Sequence, residues 1–115
     1  MLFDTSKIIE MIKSDQFKPG HITVITLIEI LRGIKGDKRD KVKKLLEEIF
    51  DILPIDNNVI LEYCNLYDKL KEKGQLLPDA DLIIAATAKA YDLELATEDK
   101  DFLRLEEYNV KVKVN

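Results

Sequence analysis

Short apolar runs, each too brief to make a helix, alternate along this chain with segments of helical periodicity, and acidic residues stand where one gives way to the other. Asp4 follows Met1 to Phe3, Glu29 sits within the apolar stretch Ile25 to Leu31, Asp81 within Leu77 to Ala86, and Asp99 just after Leu93 to Thr97. A succession of strand, helix and strand predicts a parallel sheet covered by helices. In such a sheet the side chains at the carboxyl ends of the strands converge on one crevice, where open α/β folds place their chemistry. Carboxylate oxygens gathered without histidine or thiolate suit a hard divalent cation, which also relieves their mutual repulsion.

The periodicities fill in the elements. Ile8, Ile9 and Ile12 lie at helical spacing, Pro19-Gly20 punctuates, and His21 to Ile25 reads as a β-branched strand. A second helix carries Leu27, Ile28, Ile30, Leu31 and Ile34 and ends at Gly33 to Gly36. A third, from Asp37 to Phe50, carries Val42, Leu45, Leu46 and Ile49. Ile52 to Ile55 is a short strand, after which Asn57 or Asn58 caps a long helix that closes at Gly74. Pro78 and Asp79 open a helix rich in small residues (Ala80, Ala85, Ala86, Ala88, Ala90), which permits close packing. Leu93 to Thr97 and Val110 to Val114 complete the strands, the latter alternating as an edge strand does.

The chain of 115 residues is expected to form one domain spanning residues 1–115. No apolar stretch approaches the ~20 residues of a membrane span, and the N-terminal segment lacks signal-peptide character, so a cytoplasmic location without membrane contact is expected. Cys64 is the single cysteine, read as a small buried apolar residue. A net charge of -4 argues against indiscriminate nucleic-acid binding. Locally, however, Arg32, Lys35, Lys38, Arg39, Lys41, Lys43 and Lys44 face only Asp37 and Asp40, a stretch able to meet phosphates or simply to form a solvated helix face.

Each acid also has a structural reading. Thr26 and Glu29 fit a Thr-x-x-Glu capping box, Asp79 and Asp81 complement a helix macrodipole, and Asp4 and Asp99 suit helix caps. What capping leaves unexplained is the recurrence of an acid at one strand end after another.

Four segments together, Leu2 to Ser6, Val24 to Gly33, Leu77 to Ala88 and Ala96 to Phe102, resemble in order and spacing the four signature blocks of PIN-domain ribonucleases. Thr-Leu-Ile-Glu-Ile-Leu-Arg-Gly in the second block and Pro-Asp-Ala-Asp in the third are similar to the short VapC-type toxins of toxin–antitoxin pairs. The resemblance implies a three-layer α/β/α sandwich with a short central parallel sheet. It also implies Mg²⁺ or Mn²⁺ held by the catalytic acids Asp4, Glu29, Asp81 and Asp99. Asp81 precedes Leu-Ile-Ile-Ala-Ala as the family pattern requires, which leaves Asp79, about 200° around the helix, as a cap. In the fourth block Asp101 is an alternative or additional ligand to Asp99. Thr5, Ser6 and Thr97 are expected to hold the ligands by hydrogen bonds.

The chemistry so implied is endonucleolytic hydrolysis of RNA phosphodiesters by metal-activated water. The partners implied are an RNA substrate, a cognate antitoxin protein and a second copy of the chain in a homodimer, with Ile30, Leu31 and Ile34 as a candidate contact surface. The alternatives are a catalytically inactive PIN-like domain that binds RNA or protein, and a receiver-type signalling domain. The latter is disfavoured because Thr5, not a second acid, follows Asp4. The lone His21 has no paired nucleophile and reads as a packing or edge residue.

Overall fold

A computed structural model describes residues 1–115. The chain runs β1 (Leu2–Phe3), α1 (Thr5–Ser14), β2 (Gly20–Thr23), α2 (Val24–Leu31), α3 (Asp37–Ile49), β3 (Phe50–Leu53), α4 (Asn57–Glu72), α5 (Asp79–Ala90), β4 (Leu95–Thr97), a 3₁₀ helix (Lys100–Tyr108) and β5 (Val112–Val114). The five strands form one sheet in the order β3-β2-β1-β4-β5, every pairing parallel. Helices lie on both faces, giving the expected α/β/α sandwich. Because β1 is followed outward by β2 and β3 on one side and by β4 and β5 on the other, the sheet changes winding direction between β1 and β4. That is the switch point at which doubly wound sheets open a crevice.

Two apolar clusters hold the layers together. Against one face of the sheet, α1, α2 and α3 contribute Ile8, Met11, Leu27, Ile30 and Leu46 to Phe3, Ile22, Phe50 and Ala96. Against the other, α4, α5 and the 3₁₀ helix contribute Val59, Leu66, Leu70, Leu82, Ala85, Phe102 and Leu105 to Leu2 and Leu95. The 3₁₀ helix is long for its type, and its three-residue repeat explains how it packs. Phe102, Leu105 and Tyr108 recur every third residue, and all three meet that second cluster.

Local chemistry moved several boundaries. The β-branched residues Val24 and Ile25 are helical rather than extended, because the Thr23 hydroxyl accepts the Thr26 backbone N–H and starts α2 three residues before the predicted Thr26 cap. Asp56, not Asn57 or Asn58, caps α4 by accepting the Val59 N–H at 3.0 Å. Strands β4 and β5 each begin two residues later than their apolar runs, and β3 begins at Phe50. Cys64 is exposed on α4, contrary to its burial expectation. Ile30 is buried, and Leu31 and Ile34 pack partly buried against the core, so they do not make the free contact surface expected of them.

One glycine is fixed by close approach. A Cβ on Gly20 would stand 2.6 Å from the buried Phe3 ring and 3.0 Å from the Met1 carbonyl oxygen. Gly20→Ala is expected to lower stability by about 1–3 kcal/mol, a loss that urea unfolding would read directly.

Candidate metal centre

Asp4 sits at the switch point, one residue beyond β1, and is 4 % exposed. It is the N-cap of α1. One carboxylate oxygen accepts from the Ser6 hydroxyl at 2.6 Å and from the Lys7 backbone N–H at 3.0 Å, and the other accepts from the Thr97 hydroxyl. Thr97 ends β4, and the same hydroxyl oxygen accepts the Asp99 N–H at 2.9 Å. A single threonine thus ties the ends of the two central strands and the start of the fourth acidic segment together. Ser6 makes the reciprocal link by accepting the Glu98 N–H at 3.1 Å.

Glu29 approaches from α2. Its carboxylate accepts from the Thr5 hydroxyl at 2.7 Å, and Thr5 is also 3.1 Å from the Thr26 hydroxyl. Since Thr5 has one proton and gives it to Glu29, the proton in the Thr5–Thr26 contact belongs to Thr26. Glu29 therefore does not close a capping box with Thr26. Its other oxygen lies 3.9 Å from the Arg32 guanidinium.

Asp81 lies half-buried in the first turn of α5. Burial, and then the charges of Glu29, Asp4, Asp99 and Asp101 in that order, push its carboxyl up to about 6. Acids separated by as many as 97 positions in sequence thus act on one carboxyl group. Asp99 caps the 3₁₀ helix by accepting the Asp101 N–H at 2.9 Å, and Asp101 itself stands 3.5 Å from Arg104. Asp79 points elsewhere, accepting the Tyr63 hydroxyl at 2.6 Å and holding that phenol up at about 12.

The donor set is hard oxygen throughout, which suits Mg²⁺ or Mn²⁺. Asp4, Glu29 and Asp99 are oriented by protein donors rather than closed into a cage, and no three of the acids already stand as a ready-made ligand group. The fit rests on donor chemistry and on the mutual repulsion felt at Asp81, which a dication reverses.

One cluster beside the site escaped the sequence reading. The Lys7 ammonium, almost wholly buried, pairs with Glu10 at 2.7 Å and Glu98 at 3.7 Å, bridging α1 to the loop that carries Asp99. Lys7 lowers the Glu10 pKa, and donating a hydrogen bond to the Glu10 carboxylate raises that of Glu98. The signal available was spacing: Asp4, Lys7 and Glu10 recur every third residue along one edge of α1. His21 pairs at 3.6 Å with Asp51 on the neighbouring strand, away from these acids.

A family model for the PIN domain matches residues 1–108. The chain belongs to the PIN-domain family. Among curated relatives, this PIN domain is 36% identical to Ribonuclease VapC1 of Methanocaldococcus jannaschii over 97% of its own length and 85% of the relative's. Among solved structures, the VapBC-1 structure from nontypeable Haemophilus influenzae superposes with a TM-score of 0.84 at 23% identity, covering 98% of this chain and 96% of that one. VapBC-5 from Mycobacterium tuberculosis, described as a member of the VapBC family of toxin-antitoxin systems, gives 0.74 at 25% identity over 98% and 94%. No helix of this PIN domain is long and apolar enough to cross a membrane.

Proposed function

We propose that this single-domain protein is a divalent-cation-dependent endoribonuclease and the toxin of a VapBC-like toxin–antitoxin pair, acting in the cytoplasm. The observation that carries the reading is the acid cluster at the switch point, where acids from three separate segments load negative charge onto Asp81 in a fourth. Its support from relatives is the similarity to a VapC ribonuclease and to VapBC complexes.

In this reading Asp4, Glu29, Asp81 and Asp99 hold Mg²⁺ or Mn²⁺, with Asp101 beside them. A cation bound there offsets the charge of the phosphodiester and lowers the pKa of a water. The chain's own groups position the ligands. Ser6 and Thr97 fix the Asp4 carboxylate from both sides, Thr5 fixes Glu29, and Arg32 flanks Glu29 with a guanidinium suited to a phosphate oxygen. Such supports govern ligand affinity by about 10–100-fold in metal sites generally.

The reading extends to a cognate antitoxin and a homodimer. An apolar cleft of about 120 Å³ formed by Ile55, Val59, Ile60, Tyr63 and Ile83 offers a surface for protein contact. The nuclease itself is tested with a fluorogenic single-stranded RNA. Excess chelator is expected to reduce cleavage to background, and Mn²⁺ or Mg²⁺ to restore it. Cleavage that survives chelation overturns the metal-dependent reading, while RNA left intact with every divalent ion favours an inactive binding domain.

A further inference from the structure

Residues paired across the sheet form a row, Ile52, Ile22, Phe3, Ala96 and Lys113, on the face covered by α1 to α3. Those helices pack over β1 to β4, whereas β5 is met by β4 and by the 3₁₀ helix of the opposite layer. The row therefore runs out from under its cover. Where it does so, the small Ala96 lies between the bulky Phe3 and the long Lys113, and the depression is a cavity of about 260 Å³. Its walls come from α1 and the segment after it, including Lys7, Phe17 and Lys18.

Cations outnumber acids in this cavity, whose lining carries Lys7, Lys18 and Lys113 against Glu10, and Glu10 also feels the charge of Lys18. Lys7 is neutralised by Glu10 and Glu98, but neither Lys18 nor Lys113 makes an ion pair with any carboxylate. Two free ammonium groups thus rim a pocket whose interior is partly aromatic, the combination that takes single-stranded nucleic acid by its phosphates and base faces. The cavity also adjoins the acid cluster. Lys7, in its wall, donates its backbone N–H to Asp4, and Ala96, in its floor, accepts the Asp4 N–H at 3.1 Å.

We propose that the cavity between α1 and the uncovered end of the sheet at β5 binds a nucleotide of the RNA strand flanking the one to be cut, with Lys18 and Lys113 on its phosphates and the Phe17 side of the pocket against its base. This rests on the nuclease reading and adds the path by which a strand reaches the acids. It competes with a path over the basic stretch of α3, where Arg39 is already committed to the Leu31 and Ile34 carbonyls and Lys43 to Glu47.

The test is fluorescence anisotropy of a single-stranded RNA of about ten nucleotides on the full chain in chelator, with salt varied, beside cleavage kinetics in Mn²⁺. Lys18→Gln with Lys113→Gln is expected to weaken binding about tenfold and to reduce the salt slope by about 1.4, at about 0.7 per phosphate contact. The same pair is expected to raise KM with little change in kcat, and Lys113→Arg to retain wild-type binding. Lys44→Gln on α3 serves as the control and is expected to change binding less than twofold. Unaltered binding in the double variant of a protein that still cuts RNA overturns the subsite alone, as does an equal loss in Lys44→Gln. A wild-type chain that neither binds nor cuts overturns the nuclease reading beneath it. Titrating adenosine monophosphate against inorganic phosphate separates nucleotide recognition from simple anion binding. Perturbation of the Phe17 and Ala96 amides by the nucleotide alone supports the proposal, and equal perturbation by both overturns the role given to the base.

Discussion

Asp81→Asn will abolish RNA cleavage and, in metal-free buffer, stabilise the fold. The loss of activity is expected to be about a thousandfold, some 4 kcal/mol of transition-state stabilisation. The gain in stability follows from the Asp81 carboxyl being held up at about 6 against its ordinary 3.8. Between those values the folded chain binds a proton that the unfolded chain releases, so stability falls as pH rises through the window from about 4 to about 6. Above it the full penalty of a charged Asp81 is present. A shift of that size corresponds to about 3 kcal/mol, and solvent screening at a half-exposed site reduces it to about 1 kcal/mol. Asparagine, which cannot ionise, removes the penalty. Thermal melts in chelator at neutral pH should therefore show the variant melting about 4 °C higher, with the difference vanishing below about pH 4. A variant that melts lower at neutral pH would show that the repulsion argument is wrong.

Asp4→Ala carries the opposite sign in stability with the same loss of activity. Asp4 is buried and receives hydrogen bonds from Ser6, Lys7 and Thr97, so its removal strands the cap of α1 and a buried threonine hydroxyl at once. Loss of the cap costs about 1 kcal/mol, and the unsatisfied donors bring the total to about 3 kcal/mol. Cleavage should again fall about a thousandfold, equal to some 4 kcal/mol at the barrier. Urea unfolding of the two variants side by side separates the roles. Equal and negligible changes in both would mean that neither side chain is placed as described.

The alternation of short apolar runs with helices made the parallel sandwich legible, and the order of the four acidic segments made the family legible before any side chain was placed. What sequence obscured was competition among neighbouring polar residues for the same backbone donors. Thr23 and Thr26 are both good caps, and the choice depends on where β2 stops pairing with β3, a nonlocal fact. Once Thr23 takes the cap, Glu29 is released toward Thr5. Asp56 prevails over Asn57 and Asn58 for a similar reason, because its second oxygen also accepts the Tyr91 hydroxyl from beyond α5. Cys64 looked apolar by type, but its exposure depends on which face of α4 meets α5. Glu98 was invisible as part of the site because its partners, Lys7 and Glu10, lie some ninety positions away.

The central strand β1 is two residues long, and Asp4 follows it without a spacer. Leu2 and Phe3 are members of the two opposite apolar clusters, so the side chain that organises the acids is anchored one peptide bond from one hydrophobic layer and two from the other. The geometry proposed for catalysis has no buffer zone between itself and the packing of the interior. A methylene removed beneath Phe3 or Leu2 should register in turnover at temperatures where far-UV dichroism still reports an intact protein, making the rate of RNA cutting the more sensitive thermometer of core quality.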